Sequence, residues 1–379
     1  MSPSSRPDSD ALGCGKITPG GQKEPGGESA LRNTSLRQDG HLTYRSFKDL
    51  AVERLSSLYP EPEVRAMAVR LLTARLNVPD YKIAAEPSTA IKPEALAVLE
   101  ADLSRLAEGC PLQYVLGYTE FAGLRIRVAP GCLIPRPETE EMVSLIVDAM
   151  DAKSASTSGQ GGTLPSFCSA GPDGEAGASE SLNILDLCTG SGCIAYALAD
   201  AFPEAQVFAC DLSEAALAIA CKQRIRLPGA RPVFFQADVL QAPPAGLPKF
   251  DLIVSNPPYV RESERALMHP NVLDHEPAEA LFVPDDDPLR FYAAIRRWAD
   301  TLLAPGGEIW LEINEALGPE TAALFTSRPS EAEAPLGQNN PRSASALSGG
   351  SGVLLAPSVQ LLQDFSGRDR FLRICSLAM

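Results

Sequence analysis

The sequence predicts an α/β chain: a doubly wound, mostly parallel sheet preceded by a small helical domain. Three observations carry that expectation. From residue 183 onward, short apolar runs suited to buried strands alternate with stretches of helical periodicity. A glycine-rich turn, Gly190-Ser191-Gly192, joins the first of those runs to the helix pattern behind it. Acids recur in or just after three successive strands, at Asp186, Asp211 and Asp238, on the side of a parallel sheet where such folds place ligands.

In chain order, residues 1–42 are rich in Gly, Ser, Pro and charge and lack the apolar content that ordering requires, so a disordered tail is expected. The triplet Gly20-Gly21-Gln22 within it is the kind that glycine-rich tails produce by chance. Residues 43–113 form a helical domain with three apolar stripes: Phe47, Leu50, Leu55 and Leu58; then Val64, Met67, Ala68, Leu71, Leu72 and Leu76; then Leu96, Leu99, Leu103 and Leu106. The remainder, 114–379, is the sheet domain, with a linking hairpin at about 118–130 of which 124–128 is one arm. Its strands are expected at 183–187, 206–210, 232–236, 250–255, 308–313, 359–365 and 371–376, with helices opening at Ile194 and running from Ser213 to Ile225. Two stretches, about 152–181 and 327–352, are dominated by Ser, Gly, Ala and Pro without periodicity and are expected as surface insertions.

Two motifs carry chemistry. The first is the run Asp186-Leu187-Cys188-Thr189-Gly190-Ser191-Gly192, where the glycines let the backbone turn tightly and approach a ligand. Gly190, Gly192 and Ala195, with Asp211 downstream, also fit a dinucleotide fingerprint. Asp186 inside the strand favours S-adenosylmethionine instead, because that cofactor offers an ammonium group where a pyrophosphate would be repelled. Asp211 could accept from ribose hydroxyls, and Asp238 from an adenine amino group with Val239 against the ring; for any one of these acids alone a solvated loop carboxylate is an equal reading. The second motif is Asn256-Pro257-Pro258-Tyr259, directly after a buried strand. An amide or exocyclic NH2 is a poor nucleophile, and an Asn oxygen with a neighbouring carbonyl aims it by accepting both hydrogens. The two prolines donate nothing and fix φ, and Tyr259 can stack on a planar acceptor.

The formal net charge of −15 argues against an enzyme that grips nucleic-acid backbones. No apolar stretch is long enough to span a membrane. The nine cysteines show no zinc-type spacing and the three histidines are scattered, so no metal site is expected and reduced thiols of a cytoplasmic protein are.

Several segments together resemble the HemK/PrmC family of protein-(glutamine-N5) methyltransferases. They are Pro111-Leu112-Gln113-Tyr114-Val115-Leu116-Gly117, Glu120-Phe121, Leu133-Ile134-Pro135-Arg136-Pro137-Glu138-Thr139-Glu140, the two motifs above, Glu276-Pro277-Ala278-Glu279-Ala280-Leu281, and Asp364-Phe365-Ser366-Gly367-Arg368-Asp369-Arg370. The resemblance covers about 43–150 and 182–326 and resumes near 358–376. It implies a Rossmann-like class I S-adenosylmethionine methyltransferase with a seven-stranded, mostly parallel sheet and an antiparallel last strand. It also implies transfer of methyl from S-adenosyl-L-methionine to the Gln of the GGQ loop in class-1 peptide chain release factors, by a monomer whose helical domain helps to engage the release factor. Carried over by position, Asp186, Cys188, Thr189, Gly190, Ser191, Gly192, Asp211, Leu212, Asp238, Val239 and Asn256 would hold the cofactor. Asn256, Pro257, Pro258 and Tyr259 would hold the acceptor amide, with Arg136, Glu138 and Thr139 in a lid beside it. Pro137 followed by Glu138 to Glu141 is equally a good helix start. Cys188 stands where the family more often has Gly, which strains the loop if φ there is positive. Still open are glutamine methylation of a ribosomal protein, adenine-N6 methylation of nucleic acid, an NAD-dependent dehydrogenase, and a cofactor-binding module without activity.

Overall fold

A computed structural model describes residues 42–157, 182–326 and 357–375. The Gly20-Gly21-Gln22 triplet with the rest of 1–41, most of 152–181, all of 327–352 and Ser376 lie outside the described residues. The chain divides into two compact units at Leu103/Ser104.

The first unit holds α1 (Tyr44–Leu55), α2 (Glu61–Leu76), α3 (Asp80–Ala85) and the greater part of α4 (Pro93–Ala107). Thr43 and Ser46 form a reciprocal capping box that starts α1. Phe47, Leu50, Leu55, Val64, Ala68, Leu71, Leu72, Leu99 and Leu103 are buried, as the stripes predict. Leu58 departs from its stripe and is 42% exposed, because α1 ends at Leu55 and the chain has left the helical register before it.

The second unit continues through α5 (Leu112–Leu116), the hairpin of β1 (Tyr118–Phe121) and β2 (Leu124–Arg127), and α6 (Pro137–Thr157). Next come β3 (Asn183–Leu187), α7 (Cys193–Ala201), β4 (Gln206–Asp211), α8 (Glu214–Ala220), β5 (Val233–Gln236) and β6 (Phe250–Ser255). The short pieces β7 (Val260–Arg261), α9 (Pro270–His275) and β8 (Phe282–Val283) precede α10 (Arg290–Leu302), β9 (Leu303–Glu312), α11 (Gly318–Thr326), β10 (Ser358–Gln363) and β11 (Asp369–Cys375). The main sheet has seven strands in the order β10-β11-β9-β6-β3-β4-β5. β6, β3, β4 and β5 run parallel to one another and to β9, while β11 is antiparallel to both its neighbours.

Both faces of this sheet are covered, which is why its strands are continuous apolar runs. Alternate residues go to opposite sides. Ile184, Val207, Leu252, Val254 and Trp310 pack with Met142 and Ile146 of α6 and with Ile194 and Leu198 of α7. Leu185, Leu187, Ile253, Ile309, Leu311 and Ile374 pack on the other side with Tyr292, Ile295 and Trp298 of α10 and Phe325 of α11. The order of strands reverses direction of travel at β3/β6, so the crevice above their C-terminal ends is where a ligand is accommodated.

Several boundaries differ from the sequence expectation. α8 stops at Ala220 rather than Ile225. The Tyr196 hydroxyl takes the Ala220 carbonyl, Lys222 and Gln223 bond only three residues back, and the Gln223 side chain is drawn to other partners. α6 runs on to Thr157, past the point where an insertion was expected to begin. β9 starts at Leu303, earlier than 308, because Leu303 already pairs with Phe250. Among the described residues no helix is long and apolar enough to cross a membrane.

Candidate active site

The turn after β3 is built around a buried acid. Asp186 is wholly buried, and its Oδ2 accepts from the Thr189 hydroxyl at 2.5 Å and from the Ala195 N–H at 3.2 Å. The carboxylate thereby caps the N-terminal turn of α7 from beneath, where the helix dipole favours negative charge. Its Oδ1 has no hydrogen-bond partner among the described residues. Burial pushes the Asp186 carboxyl up to about 7, against the pull of those two donors. The turn itself requires positive φ at Cys188 (59°), Gly190 (57°) and Gly192 (81°). A Cβ at Gly190 would meet nothing within 4 Å, whereas one at Gly192 would press on Tyr196, Ala220 and Phe234 at 3.2 Å. Gly190 thus leaves space above the loop for a ligand, and Gly192 permits close packing below it.

Above the turn lies a cavity of about 280 Å³. The loop contributes Cys188 and Gly190, β4 and its end contribute Cys210, Asp211 and Leu212, and the end of β5 contributes Asp238 and Val239. Asn256 and Pro258 also line it, together with Leu133, Glu279, Ala280 and Phe291. Asp211 is fixed by the N–H groups of Gly190 (2.8 Å) and Ser213 (2.9 Å), and Asp238 accepts from the Leu240 N–H at 2.9 Å. The lining holds three carboxylates and no Lys, Arg or His. The N–H groups of Gly190 in the loop and Ala195 in the first turn of α7 are already committed to Asp211 and Asp186. That donor set suits a cationic, hydroxyl-bearing ligand and disfavours a dinucleotide.

A second, smaller cavity of about 40 Å³ adjoins the first and shares Leu133, Asn256 and Ala280 with it. Arg136, Pro257, Tyr259, Val260, Leu281 and Glu312 complete its lining. Asn256 therefore sits at the junction. Its Nδ2 donates to the Thr139 hydroxyl at 2.9 Å, and Thr139 in turn donates to Glu312 Oε2 at 2.7 Å. Glu312 Oε1 accepts from the Tyr259 hydroxyl at 2.8 Å. Burial raises the Glu312 carboxyl, although the bonds from Thr139 and Tyr259 pull the other way. The segment 131–136 is held over the site by Glu276, whose carboxylate takes Arg136 Nη2 at 2.7 Å and the Ile134 N–H at 2.9 Å.

A family model described as the methyltransferase small domain matches residues 176–278, and one described as the PrmC N-terminal domain matches residues 49–117. The chain is 41% identical over 273 residues to the release factor glutamine methyltransferase of Bacteroides thetaiotaomicron, an alignment covering 72% of this chain and 88% of that one. It is 37% identical over 281 residues to the protein of the same name from Flavobacterium psychrophilum, covering 74% and 90%. The chain belongs to the release factor glutamine methyltransferase family.

Of the residues singled out in the sequence, Cys188, Gly190, Asp211, Leu212, Asp238, Val239, Asn256 and Pro258 line the larger cavity, and Arg136, Asn256, Pro257 and Tyr259 the smaller. Asp186, Thr189, Ser191 and Gly192 line neither; Asp186, Thr189 and Ser191 lie buried in the turn beneath the larger one. Glu138 also lines neither cavity, being on α6 beside Glu312. Pro137 opens α6, as the helix-start reading expects, while Arg136 lines the smaller cavity and Thr139, which lines neither, is bonded to Asn256. Glu312 and Phe291 were not anticipated, and Leu133, Glu276 and Glu279, although within the segments that carry the resemblance, were given no site role. Glu312 carried a usable signal, an acid closing an apolar strand just as Asp211 does.

Proposed function

We propose that this chain transfers a methyl group from S-adenosyl-L-methionine to the side-chain amide nitrogen of the GGQ glutamine in class-1 peptide chain release factors. The observation that carries the reading is the position of Asn256 at the junction of the two cavities, its Oδ1 accepting from no group among the described residues. A donor in the larger cavity and a planar amide in the smaller one then meet at that side chain.

The open space over Gly190, the unpartnered Asp186 Oδ1 and the acidic lining fit S-adenosylmethionine. Cys188 to Gly192 would hold its methionine end, Asp211 its ribose, and Asp238 with Val239 its adenine, while Asp186 acts from below the loop. When bound, the cofactor supplies an electrophilic methyl on sulfur. The chain's own work is positioning. Asn256 Oδ1 accepts one amide hydrogen of the substrate, the prolines keep competing donors away, and the Tyr259 ring flanks the amide plane. Positive charge that develops on nitrogen is stabilised by these fixed acceptors and by Glu312 behind them, and the proton leaves to water. No covalent enzyme intermediate is needed. The helical region 43–113 is the part that would engage the release factor.

The relatives' name favours a release factor over a ribosomal protein as acceptor. Incubating the chain with labelled S-adenosylmethionine and purified release factors and ribosomal proteins, then mapping the label, decides between them. Label on the GGQ glutamine is expected; label only on a ribosomal protein or on nucleic acid refutes the assignment. Asn256→Ala should lower turnover by at least roughly a hundredfold while calorimetry shows cofactor affinity nearly unchanged. Loss of cofactor binding in that variant would mean Asn256 serves the donor rather than the acceptor.

A further inference from the structure

We propose that Glu312 is a positioning residue: acting through the Thr139 hydroxyl, it dictates which way the Asn256 carboxamide faces and so keeps Oδ1, not Nδ2, turned to the acceptor. This deepens the methyl-transfer reading and rests on it.

The argument is one of proton counting. A threonine hydroxyl has a single hydrogen. An ionised carboxylate can only accept, so at 2.7 Å the Thr139 hydrogen is committed to Glu312 Oε2. Oγ1 is then left to accept, and the group within reach, Asn256 at 2.9 Å, must present its NH2. An amide end-for-end flip would set the Asn256 oxygen against a hydroxyl oxygen with no hydrogen to share. The polarity of Asn256 is therefore set two bonds away by the charge on Glu312. The same carboxylate accepts from Tyr259 at 2.8 Å and so ties down the ring beside the acceptor. Glu312 is itself held rigidly: it closes β9, is 1% exposed, and pairs across the sheet with Phe371.

Every element packed around this carboxylate contributes to its state. Thr139 and Glu138 face it from α6, Tyr259 from the turn after β6, and Arg370 from β11. Tyr292 of α10 donates to its backbone carbonyl at 3.2 Å. Protonated Glu312 would become a donor to Thr139, freeing the Thr139 hydrogen to turn toward Asn256 Oδ1 and removing the amide's bias. Turnover should therefore fall on acidification.

The test compares the full-length chain with Thr139→Val, Thr139→Ser and Glu312→Gln, measuring kcat against pH with saturating S-adenosylmethionine and a release-factor substrate, and cofactor affinity by calorimetry. Thr139→Val removes the relay at constant volume and should lower kcat at least about tenfold with cofactor Kd unchanged; Thr139→Ser keeps the hydroxyl and should restore most of it. Glu312→Gln should lose the acid limb of the kcat profile that the parent shows. The proposal is overturned if Thr139→Val turns over like the parent, if Thr139→Ser is as slow as Thr139→Val, or if the acid limb survives in Glu312→Gln. Should Glu312→Gln fail to fold, the two Thr139 variants decide alone. A parent chain that methylates no protein refutes the methyl-transfer reading instead, and this proposal with it.

Discussion

Cys188 occupies a backbone conformation that L residues avoid, with φ of 59°. Left-handed backbone costs a residue with a Cβ about 1–2 kcal/mol. The neighbouring glycines at 190 and 192 adopt the same region freely. The cost is local and separable from the thiol, so it is best measured between two variants that both lack sulfur. Cys188→Gly should be more stable than Cys188→Ala by about 1 kcal/mol, the reverse of the usual ranking of these residues. Urea unfolding of the two side by side measures the difference, and equal midpoints or a more stable alanine variant would show that the turn is not strained. The thiol itself is passive: burial foremost, then the nearby Asp211, raises its pKa well above the ordinary range, so it faces the cavity as a small neutral group.

At the level of elements, Gln223 links three pieces of chain that the sequence leaves unrelated. Its Oε1 accepts from the Arg127 N–H at 2.8 Å, and its Nε2 donates to the carbonyls of Arg127 at 2.9 Å and Ser191 at 3.0 Å. It is 4% exposed, so these groups have no water to replace it. Gln223→Ala should destabilise by about 2–3 kcal/mol and loosen the cofactor loop, raising the cofactor Kd. Denaturant unfolding with an unchanged m-value checks the first, and calorimetry the second. Gln223 also shows where sequence reading ends. The apolar spacing of Ala216, Leu217 and Ala220 marks a helix, but nothing local says that Gln223 will bond across to β2 and stop it. The strands were legible because both sheet faces are buried and their residues alternate between two cores. The loop and the Asn256 turn were legible because their chemistry needs Gly, Pro and Asn at fixed offsets. The Thr139–Glu312 bond joins residues 173 positions apart, and no pattern along the chain announces it.

Across the whole molecule, buried carboxylates are shifted in opposite directions, and the pH dependence of stability follows from the contrast. Glu308 is buried, which alone would raise its carboxyl, but Arg373 at 2.9 Å, Lys153 and the Trp310 indole N–H at 3.0 Å hold it down to about 2. Its folded pKa lies below the usual 4.5, so its stabilisation is present above pH 4.5 and lost as pH falls through 2. Asp186 has no cationic partner among the described residues, and burial raises it from 3.8 to about 7. Its contribution has the opposite sign: full below pH 3.8, and lost as pH rises through 7. Asp211 and Glu312 are raised by burial as well and act in the same direction. Without cofactor, the protein should therefore be less stable at pH 7.5 than at pH 5, with Asp186 alone contributing on the order of 2–3 kcal/mol across that change. Asp186→Asn should flatten the rise in stability between pH 7.5 and 5 while leaving the fall below 4.5 in place, and Glu308→Gln should do the converse. Urea midpoints at pH 4, 5, 6 and 7.5 separate the two arms; an Asp186→Asn profile parallel to that of the parent would show that the acid beneath the loop is ionised in the empty protein.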